Sequence, residues 1–232
     1  MKRQLTPFLA VLAVLLTIAI VTVGDQAPQE QTADVKARMK EHGKLFNSPT
    51  PGKKLTGHKP GESVAVYESG EIPVWTTQKT RAEQLKDLAC GSDAVLIVKL
   101  TDQTAALTED ESFVFTDYTA SVEEILRNNP TQTLQVSSQV IVTRPGGSLV
   151  LDGVKISARM EQFREFVVPR RYLLYLRFVP STNSYVASGS KSFELREMKY
   201  FPLAEGKRWK EDGFQVSSFL GDARKSAVGP CQ

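Results

Sequence analysis

Cys90–Arg127, CGSDAVLIVKLTDQTAALTEDESFVFTDYTASVEEILR, decides the fold. Ala94–Val98 is apolar without alternation, and a strand that is apolar on both faces is buried on both faces. Thr101–Thr104 and Glu109-Asp110-Glu111 then form a polar turn region, and Phe113–Ile125 returns as a second strand. Phe113 and Phe115 share one face of it, while Tyr118, Ala120 and Val122 share a later one. The change of register predicts a bulge or bend near Asp117. In an antiparallel sheet the doubly apolar first strand needs an outer cover. The preceding helix supplies one: Thr77 or Thr80 caps it, Ala82, Leu85, Leu88 and Ala89 fall on one face, and Cys90-Gly91 ends it.

Downstream, strands keep arriving at short intervals. Leu134–Thr143 carries Val136, Val140 and Val142, and Arg144-Pro145-Gly146-Gly147 turns the chain. Ser148–Leu151 and Val154–Ala158 flank Asp152-Gly153, a strong hairpin signal. Tyr172–Leu176 is again apolar on both faces. Tyr185–Ala187 pairs back after the turn Pro180–Ser184, and Ser192–Leu195 adds a short strand. Val216–Ala227 reads as a closing helix with Phe219, Leu220 and Ala223 on one side. Short strands with frequent turns predict a mainly β fold, a small antiparallel barrel whose two doubly apolar strands are covered by these helices.

Upstream, the chain changes character. In residues 1–26, Lys2 and Arg3 precede Phe8–Val23, which is apolar except for Thr17 and Thr22. At about 1.5 Å per residue it reaches roughly 24 Å, short of the ~30 Å hydrocarbon core. It serves either as a cleaved signal peptide or as a retained anchor touching the membrane through residues 8–23. Both place the remainder outside the cytoplasm. Residues 27–61 are expected to hold a thin amphipathic helix around Val35 and Met39. A basic Pro/Gly linker, NSPTPGKKLTGHKPG, then leads to the main domain at 62–232. His42 and His58 are expected to be solvent-exposed. Ser63–Tyr67 alternates and reads as an edge strand, and Pro73–Thr76 as extended chain.

The 232 residues carry a net charge of only +3, which argues against a dedicated nucleic-acid binder. No metal-ligand spacing or cofactor motif is present, so neither is expected. Cys90 and Cys231 are the sharpest chemical pair. An oxidising compartment favours a disulfide between them over two free thiols. Ser188-Gly189-Ser190-Lys191 matches the S-x-x-K pattern of serine acyl-enzymes but falls at a hairpin exit, without the helix that this chemistry needs. Glu109-Asp110-Glu111 lacks the oxygen spacing of a calcium loop. Arg144–Gly147 lacks the helix of a phosphate loop. Arg170-Arg171 reads as a solvated loop end. With two histidines, both near the linker, no Ser/His/Asp set is expected.

The order Asp93–Val98, then Phe115-Thr116-Asp117-Tyr118, then Val122–Leu126 resembles a group of exported bacterial proteins of uncharacterised function. Val142–Gly147 and Arg171–Leu176 continue the pattern, over roughly residues 85–195. Those proteins are similar in turn to the netrin-like domain of the tissue inhibitors of metalloproteinases, through Cys90 before the first strand and the barrel-plus-helices layout. The resemblance implies an OB-like barrel with helices packed on one side. It does not carry over zinc chelation by an N-terminal cysteine, because Cys90 lies deep in the chain. The functional expectation is a non-catalytic binding or structural module of the cell envelope, with a protein or envelope polymer as partner. The alternative is an envelope hydrolase, or a regulator of one, with an unfamiliar site.

Overall fold

A computed structural model describes residues 33–47, 54–68, 79–204 and 214–231. The expected targeting segment at 1–26, part of the linker and the extended Pro73–Thr76 lie outside these residues. The elements run α1 (Ala33–Leu45), β1 (Ser63–Glu68), α2 (Arg81–Cys90), β2 (Ala94–Leu107), β3 (Val114–Arg127), β4 (Gln139–Pro145), β5 (Gly147–Leu151) and β6 (Val154–Met160). They continue as β7 (Arg171–Val179), β8 (Ser184–Val186), β9 (Ser192–Arg196), β10 (Lys199–Pro202), β11 (Phe214–Gln215) and α3 (Val216–Val228).

β2 is the spine. It pairs antiparallel with β3 on one side and β7 on the other, and β3 pairs with β4. β8 then pairs parallel with β4 through Val142 and Thr143, and antiparallel with the end of β7. The pairing therefore runs β7–β2–β3–β4–β8 and returns to β7, an OB-like arrangement of five strands. Because strand side chains alternate, Leu96, Val98, Leu100, Tyr172 and Leu174 fill the inside of this ring. Val95, Ile97, Leu173 and Tyr175 face outward, where Leu85 and Ala89 of α2 and Phe219 and Ala223 of α3 bury them. Thr80 opens α2 with a reciprocal capping box to Glu83. Arg81 Nε donates to Asp222 at 2.8 Å and Ser226 Oγ to the Ala82 carbonyl at 3.2 Å, joining the two helices. Cys90 and Cys231 are bonded, with Cα atoms 5.4 Å apart.

Some local expectations shift. β2 extends through Leu107, so Thr101–Thr104 belong to the strand, and the turn is Thr108–Phe113. The nearby bulge is on β2 at Thr101, opposite Thr119 and Ala120, rather than at Asp117; Glu123 and Leu126 are the extra residues on β3. Bulging bends a hairpin, and the outer half of this one packs its Phe113 and Val114 against Val154 and Ile156 of a second sheet, β1-β6-β5. The fold is not purely antiparallel, since β1–β6 and β4–β8 are parallel pairs. The stretch expected as weak helix and spacer is partly built into the domain. Met39, His42 and Gly43 of α1 are buried, as is Leu55, whose amide donates to the Glu111 carbonyl at 2.9 Å. Among the described residues no helix is long and apolar enough to cross a membrane.

Candidate functional site

The expectation that His42 is exposed fails: it is completely buried beneath α1. Nδ1 lies 2.7 and 2.9 Å from the two carboxylate oxygens of Asp117 on β3. Nε2 lies 2.7 Å from Ser184 Oγ and 2.9 Å from Thr182 Oγ1, and these hydroxyls are 2.7 Å from each other. A carboxylate only accepts, so Nδ1–H donates to Asp117, while Nε2 meets the two hydroxyls. Arg38 Nε adds a bond to Asp117 at 3.2 Å. The side chains thus form a Ser–His–Asp chain of the kind that activates a serine. Ser184, however, is itself fully buried. The arrangement fastens α1 to β3 and to the β7–β8 turn. Gly43 completes the fit, since a Cβ there would stand 3.0 Å from the Glu109 backbone nitrogen.

Fastening α1 places Phe46, just past its end, over Phe115, with ring centroids 5.9 Å apart. Phe46 is also one wall of a half-enclosed cavity of about 340 Å³. The cavity follows from the strand pairing. β8 pairs with Arg177–Val179 and β9 with Arg171–Leu174, both on the same edge of β7. The chain between them must therefore step outward past Tyr175. It does so as a fixed turn: Ala187 N donates to the Thr143 carbonyl at 2.9 Å, and Ser192 Oγ to the Ser188 carbonyl at 2.7 Å. Gly189 rests against Phe163, where a Cβ would come within 2.9 Å of the ring, so only glycine fits.

Pro145, Met160, Phe163, Val186 and Ala187 give the cavity its other apolar walls. Its charged lining consists of the exposed Arg177 and of Lys191, whose Nζ donates to the Gly91 carbonyl at 3.0 Å; no carboxylate is among the described lining residues. Gln162, also in the lining, has a buried amide oxygen without a hydrogen-bond partner. The Tyr175 hydroxyl lacks one too, and burial pushes it well above the ordinary tyrosine range. Behind Phe163 lies Arg144, fully buried, with its guanidinium 4.0 Å from the ring centroid and Nη2 donating to the Phe163 carbonyl. Its Nε and Nη1 meet no hydrogen-bond acceptor. Burial lowers its affinity for the proton, and the neighbouring Tyr118 and Glu165 oppose that shift.

The remaining residues weighed from sequence are held in structural roles. Asp110 accepts from Thr108 Oγ1 and from the Ser112 amide, and Glu111 accepts from Lys54 and Thr56. The acidic turn therefore organises itself and clamps the segment 54–56. Arg170 and Arg196 both hold Glu194, and Arg171 holds Glu123 at 2.6 Å. Ser188 Oγ faces Ser190 Oγ at 3.4 Å, and Lys191 turns away to Gly91, so the S-x-x-K residues line the cavity without forming a dyad. His58 sits 3.4 Å from Glu62. Among the described residues no group of three or more potential ligands could hold a metal ion. Sequence reasoning missed His42, Phe46, Arg144 and Arg177. Arg144 and Arg177 sit in strands that were read for their apolar residues, and His42 and Phe46 in a weakly patterned helix and its end, so no local signal marks the four.

No protein-family model matches the chain, and no curated protein is significantly similar to it in sequence.

Proposed function

We propose that the chain is a non-catalytic binding module acting outside the cytoplasm, held at the membrane through residues 8–23 where that segment is retained. The observation that carries this reading is the cavity between β8 and β9. It is apolar, half-enclosed and built from a turn that only glycine permits, the usual description of a small-molecule site. The Cys90–Cys231 bond supports the compartment, since such bonds persist in oxidising surroundings. Kinship with netrin-like domains belongs to the same proposal. It is supported by the strand order of the ring and the two covering helices, and it carries no protease-inhibiting mechanism.

The test uses the neutral fluorophore 1-naphthylamine with the full chain. Saturable binding is expected, and Val186→Trp, which fills the cavity, should abolish it while circular dichroism and melting stay unchanged. No saturable binding overturns the reading.

A hydrolase is the second reading, favoured by one observation. Thr182, which shares His42 with Ser184, is half-buried and lines a polar cavity of about 470 Å³ together with Arg38. Turnover of an activated ester that vanishes in His42→Ala would put this reading first.

A further inference from the structure

We infer that the cavity between β8 and β9 takes a small amphiphile with an anionic head, its apolar body against Phe46, Met160, Phe163 and Val186 and its head at Arg177 and Lys191. The inference rests on the binding-module reading and names the class of ligand. Size sets the body. At ~30 Å³ for each water-sized group, a space of about 340 Å³ holds roughly eleven heavy atoms. That corresponds to a short alkyl chain or a compact ring system.

Charge sets the head. Arg170, Arg171 and Arg196 lie on the same stretch of sheet, and each of them holds a glutamate. Arg177 holds none among the described residues, although it lines the cavity and is open to solvent. Lys191 spends one of its three ammonium protons on the Gly91 carbonyl and has two left to give. The third cation, Arg144, lies buried behind Phe163 with two nitrogens unsatisfied. Its charge is partly offset by the neighbouring Glu165, so it supports the field at the cavity rather than setting it. Arg177 and Lys191 are thus the charged groups of a space whose described lining has no carboxylate. A neutral or cationic ligand would leave these two cations without a counter-charge, whereas a carboxylate or phosphate would accept from both.

The experiment displaces 1-naphthylamine from the full chain with decanoate, decyl phosphate, 1-decanol, decyltrimethylammonium or inorganic phosphate, all below micelle formation. Decanoate or decyl phosphate, or both, should displace the probe at least about tenfold more effectively than decanol. Decyltrimethylammonium should be the weakest amphiphile. The stronger anion identifies the head as carboxylate or phosphate. Arg177→Gln combined with Lys191→Gln should bring the anions to the level of decanol and leave decanol unchanged. Equal displacement by anion and alcohol overturns the inference, as does a preference that survives in the double variant. So does displacement by inorganic phosphate alone at the level of decyl phosphate. In each of those cases saturable, Val186→Trp-sensitive probe binding leaves the binding-module reading standing. Absence of saturable probe binding removes both.

Discussion

α1 and α3 are each a single helix of 13 residues docked on a β framework, yet they are held by opposite means. α3 inserts Phe219 between Phe193, Tyr200 and Phe214, with ring centroids 5.0–5.4 Å apart, and a disulfide ties the chain beyond it to α2. α1 buries only Met39, His42 and Gly43, and its attachment is a hydrogen-bonded imidazole between a carboxylate and two hydroxyls. Apolar docking is tolerant of geometry and roughly proportional to area. A buried polar attachment works only when every partner is present, because an orphaned group in a dry site costs more than the bond contributed. The two helices should therefore fail differently.

The largest loss is expected from opening the covalent tie. Replacing both cysteines, C90S with C231S, frees a loop of 141 residues and should lower unfolding free energy by about 4–5 kcal/mol at most in urea titrations. Phe219→Ala comes next, at about 3–4 kcal/mol, and should lower the global denaturation midpoint because a cavity opens in the core between the sheet and the two helices. His42→Ala strands Asp117 in a buried site and should cost about 2–3 kcal/mol. Its signature should be local: amide exchange across residues 33–45 rises while that of α3 does not. A uniform rise over both helices would show that α1 is not a separable attachment.

Smaller effects sharpen the contrast on the α3 side. Burial alone would raise the Glu194 carboxyl, yet the guanidiniums of Arg196 and Arg170 together outweigh it and hold it below the ordinary carboxylate range. A carboxyl lowered on folding contributes stability above its unfolded pKa and loses that contribution as pH falls through the folded value. Stability should thus drop on acidification from just below pH 4.5 downward, and Glu194→Gln should flatten that limb. An unchanged acid limb would remove Glu194 from the account. Glu124→Gln breaks the paired 2.8 Å bonds from Arg224 on α3, but both groups are well exposed, so about 0.5 kcal/mol is the most that denaturation should register.

The same contrast explains what could be read from sequence. β2 and β7 were legible as short unbroken apolar runs, and α2 and α3 because their apolar residues recur at helical spacing. The need for a cover over Ala94–Val98 followed from its lack of alternation, and α2 and α3 supply that cover. The docking of α1 was not legible. Its partners, Asp117 and Ser184, lie 75 and 142 residues away, and nothing local to EHGK marks a histidine as buried. Likewise the cavity arises because β8 and β9 share one edge of β7, a fact of pairing that no single stretch encodes. Arg144 looked like part of a turn because Pro145, Gly146 and Gly147 follow it. Its burial depends on Phe163 and Phe166, which come about twenty residues later in the chain. β10 and β11 were missed because each is too short to show a period.

The position of the disulfide has a consequence for the order of events in making the protein. All five strands of the ring lie between Cys90 and Cys231. The bond can close only after the last of those strands has been synthesised, because Cys231 follows all of them. Any strand pairing that forms earlier forms without the cross-link, and the bond then encloses the whole five-stranded set in one covalent loop.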